Sequence, residues 1–155
     1  MVCEGKQKKI AVLGKRISTS LFGTIDAITG KFLCTTAERY NAETFQNFLT
    51  YVLKEYANKH VVLVLDNAKY HHAKLLKSFL RENNRRLTLL FLPPYSPNLN
   101  MIERVWKVMK ENVLANCYHE TMDHLMDSIY QFIKSINKNL ETILSRIQRV
   151  NMSIF

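Results

Sequence analysis

Long hydrophobic runs are missing from this chain. No stretch approaches the roughly 18 apolar residues that cross a bilayer, and no apolar segment follows the charged N-terminus as in a secretory signal. A membrane partner is therefore not expected, and the default compartment is the cytoplasm. Cysteine is scarce: Cys3, Cys34 and Cys117 are odd in number, far apart, and form no Cys-x-x-Cys pair. That argues against a zinc ribbon or a disulfide framework and suits a reducing compartment. Proline is confined to Pro93, Pro94 and Pro97, and Trp106 is the single tryptophan. Acids are outnumbered, 13 against 22 lysines and arginines, for a net charge of +9. A balance this far from zero suits a polyanionic partner, although a merely soluble basic surface gives the same number. There is no internal repeat. A length of 155 residues predicts one domain, residues 1–155, and 47% hydrophobic residues supply a substantial core.

What is present is organised around Val61 to Lys110. Val61-Val62-Leu63-Val64-Leu65 is wholly apolar and stops at Asp66-Asn67. Leu89-Leu90-Phe91-Leu92 stops at the prolines, and a helix carrying Glu103 follows. Short apolar runs bounded by turn signals predict strands of a sheet covered on both faces. Chemistry in open α/β sheets gathers at the carboxyl ends of such strands. A carboxylate there needs a metal or hydrogen-bond donors to offset its desolvation. Taken alone, Asp66 reads equally well as a capping residue, and Glu103 reads better as ordinary first-turn dipole chemistry. Together, across two strand ends, they favour a metal site.

Along the chain, Ile10 to Leu13 predicts a strand with cationic flanks. Leu21 to Ala27 and Lys31 to Thr36 predict a hairpin turning at Thr29-Gly30, with Asp26 a turn residue. Asn41 is a cap, and Phe45, Phe48, Leu49, Val52, Leu53 and Tyr56 form a helical stripe. His71-His72 opens a further helix, with Leu75, Leu76, Phe79 and Leu80 inward. Neighbouring histidines do not share a helix face, which disfavours joint metal ligation. Arg81, Arg85 and Arg86 mark a solvated helix end. Three prolines in the approach to Glu103 stiffen it. Ile102, Val105, Trp106, Met109 and Val113 are the next stripe, with Lys107 and Lys110 off it. A helix capped by Thr121 buries Leu125, Ile129, Phe132, Ile133 and Ile136. A short last helix carries Ile143, Leu144, Ile147 and Val150.

Two blocks resemble the catalytic core of the IS630/Tc1/mariner transposases. One is Asp66-Asn67-Ala68-Lys69-Tyr70-His71. The other runs Leu92-Pro93-Pro94-Tyr95-Ser96-Pro97-Asn98-Leu99-Asn100-Met101-Ile102-Glu103-Arg104-Val105-Trp106-Lys107-Val108-Met109-Lys110. The resemblance spans about Gly5 to Asn137. It implies an α/β ribonuclease H-like fold and a triad of acids holding two divalent ions. Asp66 matches the second Asp and Glu103 the terminal Glu, 37 positions apart (103 − 66). It further implies Mg²⁺ or Mn²⁺ on these catalytic acids, DNA as substrate, and DNA contacts from Asn67, His71, Lys107 and Lys110. For His71 an orienting or phosphate-facing role is favoured over metal ligation.

The family's first Asp lies on the first strand of the sheet, and neither Glu4 nor Asp26 matches it. The expectation is therefore a core without its first strand and without the family's upstream DNA-binding domains, acting as a homodimer or with a complementing segment. Three readings compete: a transposase domain completed by another polypeptide, a nucleic-acid-binding or assembly module without chemistry, and a non-functional remnant.

Overall fold

The computed structural model describes residues 2–4, 19–93, 101–115, 117, 119–141 and 145. Five strands form one sheet: β1 (Val2–Glu4), β2 (Ser20–Asp26), β3 (Phe32–Ala37), β4 (Val61–Leu65) and β5 (Leu87–Phe91). Their spatial order is β3-β2-β1-β4-β5. β1 runs antiparallel to β2 and parallel to β4, and β5 continues parallel beyond β4. The helices are α1 (Ala42–Glu55), α2 (Lys74–Glu82), α3 (Ile102–Met109) and α4 (Met122–Lys138).

Apolar side chains cover both sides of this sheet. On one side Phe45, Phe48, Leu49, Val52 and Leu53 of α1 and Leu76 of α2 pack on Phe22, Leu33, Val61, Leu63, Leu65 and Leu87. On the other, Ile102, Val105, Trp106 and Met109 of α3 and Leu125, Ile129 and Ile136 of α4 pack on Leu21, Ile25, Phe32 and Val64. Successive residues of β4 thus serve opposite cores, and its apolar run has no polar alternation for that reason. None of the helices described is long and apolar enough to cross a membrane.

Local chemistry sets the element ends. Asn41 Oδ1 accepts from Thr44 N at 2.9 Å while Thr44 Oγ1 accepts from Asn41 N at 3.1 Å, a reciprocal capping box. Thr121 Oγ1 accepts from His124 N at the start of α4. The β2–β3 turn needs a left-handed residue, and Gly30 supplies it with φ 76°. Asn137 of α4 pairs with both backbone groups of Phe32, donating to its oxygen at 2.9 Å and accepting from its nitrogen at 2.8 Å. α4 thereby blunts the edge strand β3.

Several expectations change. The central slot, expected to be vacant, holds Val2–Glu4, three residues between neighbours of seven and five. An empty slot would leave facing backbone groups of β2 and β4 unpaired inside the sheet, and β1 pairs with Thr24 to Asp26 of β2 and with Leu63 and Val64 of β4. His71 and His72 close a 3₁₀ turn (Lys69–His72), and α2 starts only at Lys74. Leu75 is exposed, because the inward row of α2 is Leu76, Phe79 and Leu80. Arg86 is half-buried rather than solvated: its Nη2 donates to the carbonyls of Leu53 at 2.6 Å and Tyr56 at 3.3 Å, compensating the C-terminus of α1. The predicted strand at Ile10–Leu13, the turn from Pro94 through Asn100 and most of the predicted last helix lie outside the described residues.

The Trp106 ring lies against Gly23. A Cβ there would meet Trp106 Cη2 at 2.5 Å, Cζ2 at 2.6 Å and Phe32 Cε2 at 3.1 Å. Gly23→Ala should cost about 1–3 kcal/mol by overpacking, read as a lower denaturation midpoint with altered Trp106 fluorescence. An unchanged midpoint would refute this packing.

Asp26 supplies a pH handle. Burial raises its pKa, but hydrogen bonds from Ile28 N, Thr29 N and the Tyr56 hydroxyl outweigh burial and hold it below the ordinary carboxylate value. A lowered folded value favours folding above the unfolded pKa, and that contribution disappears as pH falls through the folded pKa. Asp26→Asn should therefore be less stable than wild type near neutrality, with the gap narrowing below about pH 4. Urea melts at both pH values check this, and a pH-independent gap would contradict it.

Candidate metal and nucleic-acid site

Asp66 follows the last residue of β4 directly, where the apolar run ends because the sheet ends. Its side chain is 26% exposed. Ala68 N donates to Asp66 Oδ1 at 3.1 Å, a tight turn that aims the carboxylate off the strand end. His71 Nδ1 lies 3.0 Å from the Asp66 carbonyl oxygen and 3.3 Å from Oδ1. A carbonyl only accepts, so Nδ1 carries the proton and donates. The ring is buried, with Phe45 at 4.5 Å and Tyr70 at 4.3 Å between centroids. These contacts pack the ring with Nδ1 toward Asp66.

Asn67 is exposed, but its Nδ2 donates to Leu92 O at 2.7 Å. Leu92 N in turn donates to Leu65 O at 2.7 Å. The end of β4 and the exit of β5 are therefore clamped together just before the segment leading to Glu103. Glu103 stands in the first turn of α3 and is partly exposed. Its neighbour Ile102 is fully buried in the same core cluster as Val64, two residues before Asp66. Both acids thus belong to elements seated on one another. Asn67 and His71, expected at DNA, spend these polar atoms within the protein.

Lys107 and Lys110 are exposed on the α3 side that carries Glu103, since positions i, i+4 and i+7 fall on one helix face. At Lys110 the helix widens into a π-helical turn, Lys110–Leu114, closed by Ala115 N on Lys110 O. Such turns recur at functional sites. Among the described residues no three His, Cys, Asp or Glu side chains gather as a metal-binding group. As ligands, two carboxylates are hard oxygen donors suited to Mg²⁺ or Mn²⁺, and they are fewer than a two-ion centre needs.

A family profile described as DDE superfamily endonuclease matches residues 2–126. The chain belongs to that family. It is 26% identical over 140 residues to the 39 kDa protein of insertion element IS630 from Shigella sonnei, covering 90% of this chain and 38% of the relative's length. The catalytic domain of Mos1 mariner transposase superposes with a TM-score of 0.67 at 16% identity, covering 95% of this chain and 78% of that one. The HTLV-2 integrase catalytic core, solved with magnesium in a dimeric form, gives 0.57 at 14% identity, covering 85% and 80%. The expected ribonuclease H-like fold is thus the observed one. That adjacent histidines do not share a face was expected; which of the two turns inward was not legible, because it depends on Phe45 and Tyr70 packing the His71 ring.

The exposed lysines of α3 carry a prediction. Duplex DNA should bind this DDE endonuclease chain more weakly as salt rises, and Lys107→Glu with Lys110→Glu should lower both the affinity and the salt slope. Fluorescence anisotropy at several ionic strengths reads this, and salt-independent binding would contradict it.

Proposed function

We propose that this chain is the catalytic domain of an insertion-element transposase, acting on DNA by phosphodiester cleavage and strand transfer. The carrying observation is that Asp66 stands at the carboxyl end of β4 in a chain whose residues 2–126 match the DDE endonuclease family. Asp66 and Glu103 would hold a divalent ion, Mg²⁺ or Mn²⁺. Bound there, such an ion supplies charge stabilisation to the reacting phosphate oxygens and lowers the pKa of the attacking water.

The chain's own residues set up this chemistry. His71 donates from a buried ring to the Asp66 carbonyl oxygen and keeps Nδ1 3.3 Å from the Asp66 carboxylate, so His71 is a positioning residue. Asn67 clamps the two strand ends. Lys107 and Lys110 offer positive charge along the DNA backbone beside Glu103. We assign the work to the cytoplasm, with DNA as partner and a homodimer or a complementing segment completing the site. A third ligand would come from such a segment without displacing β1, whose slot this chain already fills, because two acids are too few for a two-ion centre.

A second reading, a DNA-binding or assembly module without chemistry, is favoured by one observation: no three-acid group exists among the described residues.

Nicking of supercoiled DNA in Mg²⁺ or Mn²⁺ separates the two. The chain alone should leave DNA intact. Joined to a segment supplying the family's first Asp, it should nick. In that joined form Glu103→Gln should abolish nicking with the fold intact, and His71→Phe should slow it about 10–100-fold without changing duplex affinity. Nicking by the chain alone, lost in its own Glu103→Gln variant, would overturn the incomplete site. Nicking by the joined form that survives Glu103→Gln would overturn the transposase reading.

A further inference from the structure

His71 and His72 are neighbours with opposite fates. His71 turns inward to Asp66, whereas His72 is exposed. The His72 ring stacks on Phe91, with centroids 4.3 Å apart and planes 29° apart. Phe91 ends β5 and pairs with Leu65, the residue before Asp66. The stack therefore stands at the carboxyl end of the sheet, one strand from the candidate acid. Phe91 is 39% exposed, and it is flanked in β5 by Leu90, 46% exposed. Exposed aromatic and aliphatic surface at the mouth of a site marks a contact for something apolar on at least one face.

Charge narrows what that something is. From Asn67 to Arg81 the chain carries Lys69, Lys74, Lys77 and Arg81 and no acid. Lys69 and Lys74 flank His72, and both are exposed. Aromatic rings ringed by cations are how proteins hold unpaired nucleotides: bases stack on the rings and lysines follow the phosphates. A base inside a duplex presents no free face, so the occupant must be unstacked.

Resting on the DNA-acting reading above, we propose that His72 and Phe91 form a stacking platform for an unpaired nucleobase of the strand entering the site. The platform holds an open strand end beside Asp66. It discriminates by stacking and not by sequence, since every base has a π-face.

The test compares two oligonucleotides of one sequence, single-stranded and duplex, each with 2-aminopurine near its end. With wild type, the single strand should bind with quenching of the fluorophore beyond that in the free strand. His72→Ala and Phe91→Ala should each weaken single-strand binding about tenfold and relieve the quenching, with duplex affinity unchanged. Phe91→Trp should keep both signals. His72 is exposed, so its variant keeps the test open if Phe91→Ala fails to fold. Unchanged single-strand binding in a folded variant, with duplex binding intact, overturns the platform alone. Equal loss for both substrates also overturns it. Wild type that binds neither substrate overturns the DNA-acting reading as well. A dimer that dissociates in Phe91→Ala would assign this face to a second copy and overturn the proposal.

Discussion

The contact on which the site depends most is the close approach of the Trp106 indole to the bare backbone of Gly23. Glu103 has no strand to hold it; it rides on α3, a helix of eight residues. So short a helix owes its place to packing rather than to its own stability. Trp106 supplies that packing, with Phe32 edge-on at 5.8 Å. The close approach exists because residue 23 lacks a Cβ. Ile102 and Val105 anchor the turn that carries the acid. The position of one carboxylate is thereby tied to a glycine on a strand distant from it in sequence.

Asp66 is held differently. Its backbone is fixed by the pairing of β4 with β5, which continues past the strand to the Leu92–Leu65 bond and the Asn67 clamp. Beside its carboxylate stands His71, whose ring Phe45 and Tyr70 pack and whose Nδ1 donates to the Asp66 carbonyl oxygen. Phe45 belongs to α1, so a helix from the opposite side of the sheet to α3 also reaches the site. Both cores thus converge on the strand end, and a rigid surrounding of this kind is what a site needs to hold its geometry.

Much of this was legible in the residues. β4 could be read from an uninterrupted apolar run, and α1 and α4 from caps and 3.6-residue stripes. The turn at Thr29-Gly30 followed from glycine. These signals are local, and local chemistry decided them. What escaped depends on distant partners. Nothing in Arg86 itself announces the carbonyls of Leu53 and Tyr56, thirty-odd positions away. Leu75 looks as apolar as Leu76, and only the place where α2 starts decides which faces inward. Asp66 and Glu103 stood out through their motif context, whereas the uses of Asn67 and His71 required the two strand ends in register.

Two aspartates at strand ends show why residue type alone cannot name a site. Asp26 ends β2 at the edge of the sheet opposite the one bearing Asp66, because β2 runs antiparallel to β1 and β1 parallel to β4. Ile28, Thr29 and Tyr56 donate to it, so its charge is consumed by the fold. Beside it Lys31 meets Glu55 at 2.8 Å and lies over the Tyr56 ring, so a cation there is also matched internally. At the other edge a turn and a histidine orient Asp66 without enclosing it, and cations stand around with no acid among them from Asn67 to Arg81. An edge whose charges are matched within the protein stabilises. An edge where an oriented, partly exposed acid stands beside exposed lysines has charge to offer a ligand, and a metal-bridged polyanion is the ligand that both signs together would accept.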